Sequence, residues 1–147
     1  MSHSFSQNHQ HIVFSTAGRR RMIAKEIQAK VWAYMAGIRR NHGIFVRIIG
    51  GMEDHVHLLV ELPPSMGVAR ATLLIKSNSS KWINETGRDF AWQKGYAAFS
   101  VSESNIEAVV EYIRNQEAHH RKMSYEDELI ALLKKHHMDF DPEYVFG

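Results

Sequence analysis

Residues 44–62 read IFVRIIGGMEDHVHLLVEL, two runs rich in β-branched and large apolar residues broken by Gly50-Gly51 and a short acidic step. Such a pattern predicts a β-hairpin turning at the glycine pair. The second strand opens with His55-Val56-His57. Residues at i and i+2 of a strand share a face about 7 Å apart, so both imidazoles can aim at one ion.

Working outward, HQHIVFST at 9–16 reads as a first strand. Ile23, Ile27, Val31, Met35 and Ile38 recur at spacings of three and four, predicting a helix between Arg21 and Asn41. After the hairpin, Pro63-Pro64 stops the strand, and Ser65 is positioned to cap a helix running to about Gly87. YAAFSVS at 96–102 reads as a last strand. Ser104 and Glu107 form an S-x-x-E capping box for a helix from Asn105 to about Lys122, and Ser124 precedes a final helix over 125–136. The order β-α-β-β-α-β is α+β and ferredoxin-like, the split β-α-β: an antiparallel sheet with helices on one face plus C-terminal helices. Strands one and three are then central neighbours, which sets the histidine strand inside the sheet. The tail, with Phe140, Tyr144, Val145 and Phe146, reads as an irregular arm packed on the body or a partner.

At 147 residues and 44% apolar, the chain is expected to form a single domain over 1–147. No run is long and apolar enough for a membrane span and the start lacks signal-peptide regions, so the expected location is cytoplasmic, which the absence of cysteine fits. A net charge of +2 argues little by itself. Positive charge gathers at 18–22, 38–41, Lys76, Lys81 and 119–122, a distribution that suits either phosphate contacts or solvated helix faces.

With ten histidines in 147 residues, an H-x-H pair is near chance, and His9 and His11 form another. A helix over VVEYIRNQEAHH at 109–120 puts Tyr112 and Gln116 on one face, with Asn105 and His119, beside a stripe of Ile106, Val109, Val110 and Ile113. SYEDE at 124–128 reads as helix-start acids, and the pairs His119-His120 and His136-His137 as helix-end cations. Glu53 and Asp54, beside His55, read as solvated turn residues rather than as carboxylates that orient an imidazole.

Five segments, in order, carry a family resemblance: HIVFSTAGRR, GGMEDHVHLLVELP, LLIKSNSSKWINE, WQKGYAAFSVS and VVEYIRNQEAHH. Together they resemble the single-tyrosine HUH transposases of bacterial insertion sequences, a group that includes relatives acting on repetitive extragenic palindromes. The resemblance implies a metal-dependent single-stranded DNA transposase that cleaves and rejoins strands near hairpins through a 5′-phosphotyrosine. It puts the nucleophile on Tyr112 and the metal ligands on His55, His57 and Gln116. It also implies a Mg or Mn divalent cation, single-stranded DNA with hairpins as partner, and a homodimer with trans active sites. By ligand preference alone, two imidazoles and an amide suit manganese or zinc better than magnesium. Arg19, Arg20, Arg21, Lys76 and Lys81 become candidate phosphate contacts. Other readings stay open here: a non-catalytic single-stranded nucleic-acid-binding module or domesticated relative, and a small zinc protein that never meets DNA.

Overall fold

The structure is a computed structural model that describes residues 4–38 and 42–147. Four strands, β1 (His9–Ser15), β2 (Phe45–Gly51), β3 (His55–Glu61) and β4 (Ala97–Val101), form one antiparallel sheet in the order β2-β3-β1-β4. The two central strands are the first and third, as the sequence order requires. Among the described residues five α-helices accompany them: α1 (Lys25–Gly37), α2 (Val68–Glu85), α3 (Ile106–Arg114), α4 (Gln116–His120) and α5 (Tyr125–Lys135).

The sheet is a partition. On one face Ile12, Phe14, Val56, Leu58 and Val60 bury against Val31 and Met35 of α1 and Ala71, Ile75 and Ile83 of α2. On the other, Leu59 packs with Ile106 and Ile113 of α3, while Val13 and Phe99 meet Leu129, Leu132 and Leu133 of α5. β3 is therefore covered on both sides, which is why it reads as a nearly unbroken apolar run. Alternation sends His55 and His57 to the same side as Leu59, away from the larger core. Phe140, Val145 and Phe146 of the C-terminal arm pack half-buried on the α5 cluster, so the arm is seated on the body.

Several expected boundaries move. Gly50 and Gly51 are not the hairpin turn but the end of β2, paired with His57 and Val56, and the turn is formed by residues 52–54. Gly50 is needed for close approach, because a Cβ there would lie 2.8 Å from the backbone carbonyl oxygen of Ile113. Helix α1 begins at Lys25 rather than Arg21, because the Ile23 amide is drawn to the Glu53 carbonyl at 2.9 Å and anchors the hairpin turn. Arg39, Arg40 and Asn41 lie outside the described residues. α2 starts beyond the expected Ser65 cap, with Gly67 at its N-cap. The Ser104 capping box does not form either; that hydroxyl meets Ser102 at 3.1 Å, in a short 3-10 turn ahead of α3. The single helix expected over 105–122 breaks at Asn115 into α3 and α4. Ser124 does cap α5, accepting from the Asp127 amide at 3.1 Å.

Candidate active site

The strand pair is fixed from below by register: His57 faces Val13 and His55 faces Ser15 across β1. Both imidazoles are fully buried. From above, α4 brings Gln116 and His120, one helical turn apart, and the first turn of α5 brings Glu128. The Gln116 amide oxygen lies 3.1 Å from His55 Nε2 and 3.1 Å from His120 Nε2. Glu128 Oε1 accepts from His57 Nε2 at 2.9 Å and from His120 Nε2 at 3.1 Å, and lies 3.4 Å from His55 Nε2. Its other oxygen accepts from the Gln116 amide at 3.0 Å and from the Tyr112 hydroxyl. One buried carboxylate thus ties together two strand histidines, two α4 side chains and the tyrosine of α3, all within a single chain.

Charge follows from these contacts. Burial alone would raise the Glu128 carboxyl, but hydrogen bonds from His120, His55 and His57 outweigh it and hold the group far below the ordinary carboxylate range. Burial opposes charge on His55 as well, yet its bonds to Asp54 and Glu128 raise it to about 9. His55 is therefore an imidazolium, donating through Nδ1 to Asp54 at 2.7 Å and through Nε2 to Gln116. His57 is held neutral by burial, which lowers it. Since its Nε2–H goes to Glu128, its Nδ1 must accept from His11 Nε2 at 2.8 Å. Burial, helped by the neighbouring His57, lowers His11 to about 3, so it too is neutral. The Tyr112 phenol is pushed well above its usual value by burial and by the Glu128 charge.

The donors fit a metal ion. Nitrogen and oxygen atoms of His55, His57, His120 and Glu128 all lie within 4.8 Å of one another. Neighbouring donors around an ion with bonds of about 2.1 Å are about 3.0–3.4 Å apart, in octahedral and tetrahedral geometry respectively. Gln116 Oε1 lies 3.1 Å from His55 and from His120, and Glu128 Oε1 lies 2.9 to 3.4 Å from the three imidazoles. Buried, polar and mixed in donor type, the set can hold a divalent cation of the manganese or zinc kind.

Of the residues expected from sequence, His55, His57, Tyr112 and Gln116 come together here. Glu128, His120 and His11 were missed. Glu128 stood among helix-start acids and His120 among helix-end cations, and His11 belonged to the second, discounted H-x-H pair. Asp54, weighed between a solvated turn residue and one that orients an imidazole, takes the second role, its carboxylate holding His55 Nδ1 at 2.7 Å. The basic candidates divide. Arg21 lines a hollow with Asp54, His120 and Tyr125 beside the site, and Arg20 is exposed. Arg19 pairs with Glu126 at 3.4 Å and lies over the Phe146 ring. Lys76 turns its ammonium inward to the carbonyls of Gln93, Lys94 and Gly95 at 2.9, 3.2 and 2.5 Å, and burial lowers it to about 8. Lys81 is exposed on α2, on the far side of the sheet. No helix among the described residues is long and apolar enough to cross a membrane.

Known proteins share this arrangement of chain. The family model described as "Transposase IS200 like" matches residues 4–116. Transposases for insertion sequence element IS200 from Salmonella typhimurium and Salmonella typhi are each 27% identical over 115 residues, covering 72% of this chain and 74% of theirs. Among solved structures, a candidate transposase from Deinococcus radiodurans R1 superposes with TM-score 0.63 at 19% identity, covering 79% of this chain and 95% of that one. A REP-associated tyrosine transposase bound to a REP hairpin superposes with TM-score 0.62 at 13% identity, covering 82% and 73%. These two likenesses show the fold, and the family match spans both strand histidines, Tyr112 and Gln116: the chain belongs to the IS200-like transposases.

Proposed function

We propose that the protein is a metal-dependent enzyme that cleaves and rejoins single-stranded DNA beside hairpins, with Tyr112 as nucleophile and a 5′-phosphotyrosine as intermediate. The observation that carries this is the Tyr112 hydroxyl hydrogen-bonded to a carboxylate that also binds His57, His120 and Gln116. His55, His57 and Gln116, joined by His120 and Glu128, would hold a divalent cation, with manganese favoured over magnesium by the three imidazoles. Bound there, such an ion supplies Lewis-acid polarisation of the scissile phosphate and neutralises its developing charge.

The residues of the chain do the rest. Glu128 holds the phenol oxygen beside the donor set and is the adjacent acceptor for its proton. Burial and the same carboxylate, by its charge and its hydrogen bond, keep the phenol protonated at rest; once that charge is compensated, one of the three causes that raise Tyr112 is removed. Attack by the phenol oxygen on phosphorus forms the tyrosine–phosphate bond and releases the 3′ oxygen as a hydroxyl after protonation. One phosphodiester replaces another, so rejoining needs no nucleotide cofactor.

The tyrosine already lies beside the donors of its own chain, which supports a site able to form in cis, with the trans homodimer implied by resemblance as the alternative. A single folded domain over 1–147 is part of the same reading. The REP hairpin held by the tyrosine transposase neighbour supports hairpin DNA as substrate here. The test is incubation of wild type and Tyr112→Phe with end-labelled hairpin DNA carrying single-stranded flanks, in Mn²⁺ or EDTA, followed by denaturing gels. A protein-linked band present only in wild type with metal is expected. Its persistence in Tyr112→Phe would overturn the assignment of the nucleophile.

A further inference from the structure

Tyr112 stands between two hollows. The first, of about 290 Å³, lies over β1 and β4 and is lined by His11, Phe99, Asn105, Val109 and His136 among others. The second, of about 230 Å³, opens on the Glu128 side and is lined by His119, Met123, Glu128 and Ala131. Tyr112, Leu132 and Lys135 belong to both.

Each hollow mixes a flat apolar wall with polar edges. In the first, His136 stacks on Phe99 with ring centroids 4.2 Å apart, next to apolar Val109 and the amide of Asn105. In the second, His119 stacks on Tyr112 at 4.6 Å. His119 Nε2 is buried and has no hydrogen-bond partner. Buried polar atoms are almost always paired, so an unpartnered imidazole nitrogen on a side chain that lines a hollow is one that a small turn of the ring would bring to a ligand's own donor or acceptor. Lys135 adds positive charge at the shared rim.

Resting on the strand-transfer reading, we propose that the two hollows seat the two nucleotides flanking the scissile phosphate, with Lys135 between them on the DNA backbone. A scissile phosphate has one nucleotide on each side, and the attacking phenol has one hollow on each side. Aromatic walls with hydrogen-bonding edges are what nucleobases need, and stacking tolerates any base. His119 Nε2 takes a polar atom of the nucleotide in the second hollow, and Ala108, exposed at the first, is where added bulk would block entry.

The test separates seating from chemistry by measuring binding in EDTA, where the metal-dependent reaction is off. Fluorescence anisotropy of 5′-fluorescein dT12 should show wild-type binding weakened about fivefold or more by Ala108→Leu and by His119→Ala. Lys135→Ala should lower the slope of log affinity against log salt by about one. Lys30→Ala, on exposed α1, should stay within about twofold of wild type. Photocrosslinking of dT12 carrying 5-iodouracil should map to peptides containing Phe99, His119 or His136. Absent dT12 binding, wild-type affinity in both Ala108→Leu and His119→Ala, or crosslinks confined to α1 and α2 would each overturn the proposal. A covalent band on hairpin DNA with unchanged binding in these variants would sink the seat and keep the chemistry. Seating without any covalent band would do the reverse.

Discussion

At the scale of single residues, the site is built around one carboxylate. Replacing Tyr112 by Phe should leave thermal stability near wild type and reduce covalent product by about 10³-fold or more, since no other hydroxyl occupies its place. Asp54→Asn removes the anion that orients His55 and should weaken Mn²⁺ binding about tenfold or more by calorimetry, with circular dichroism unchanged. The metal-free protein should also carry a pH signature. His55 is raised from 6.5 to about 9, so its contribution is complete below 6.5 and is lost as pH rises through 9. His11 is lowered from 6.5 to about 3, and His57 is lowered too, so the unfolded chain gains protons below 6.5 that the folded one refuses. Thermal melts should therefore peak near pH 6.5, and His55→Asn should flatten the alkaline arm. The strand histidines, Tyr112 and Gln116 were legible through the family resemblance, which singled out a same-face strand pair and a helical pairing that spacing alone left near chance. Glu128 was not, since its partners sit on three other elements. The available signal was a glutamate in phase with the buried stripe of Tyr125, Leu129 and Leu132, a position that only a paired charge can occupy.

At the scale of elements, the site depends on how closely α3 approaches β2. Gly50→Ala would drive a methyl group against the Ile113 carbonyl, and should cost about 1–3 kcal/mol in denaturant unfolding while lifting Tyr112 off its acceptor. Local sequence could not reveal this, because Gly-Gly between two strand patterns is an ordinary turn signal and the helix that needs the space lies sixty residues away. The break at Asn115 was equally hidden: no Gly or Pro marks it in RNQEAHH, and the non-helical φ of −95° and ψ of 25° follow from packing. The Ser124 cap, in contrast, was legible from a local rule. Ser124→Ala should cost about 1 kcal/mol and loosen the turn that carries Glu128.

At the scale of the whole molecule, the cis reading makes a sharp prediction. Mixing Tyr112→Phe with His57→Ala should yield no covalent product, because neither chain holds a complete set; recovery of the band on mixing would establish exchange of elements between subunits. The order of strands and the sidedness of the sheet were readable because alternation and connection rules determine them. Closure of the C-terminal helices over the open face was not, since it rests on contacts of α5 and the arm with β1 and β4. The two-faced sheet has a further consequence. Most of the apolar packing lies under α1 and α2, on the opposite side from every group of the candidate site. Damage to the chemistry therefore need not damage the body, and a copy that has lost its tyrosine should persist as a well-formed rival, occupying the same DNA ends and silencing its intact siblings.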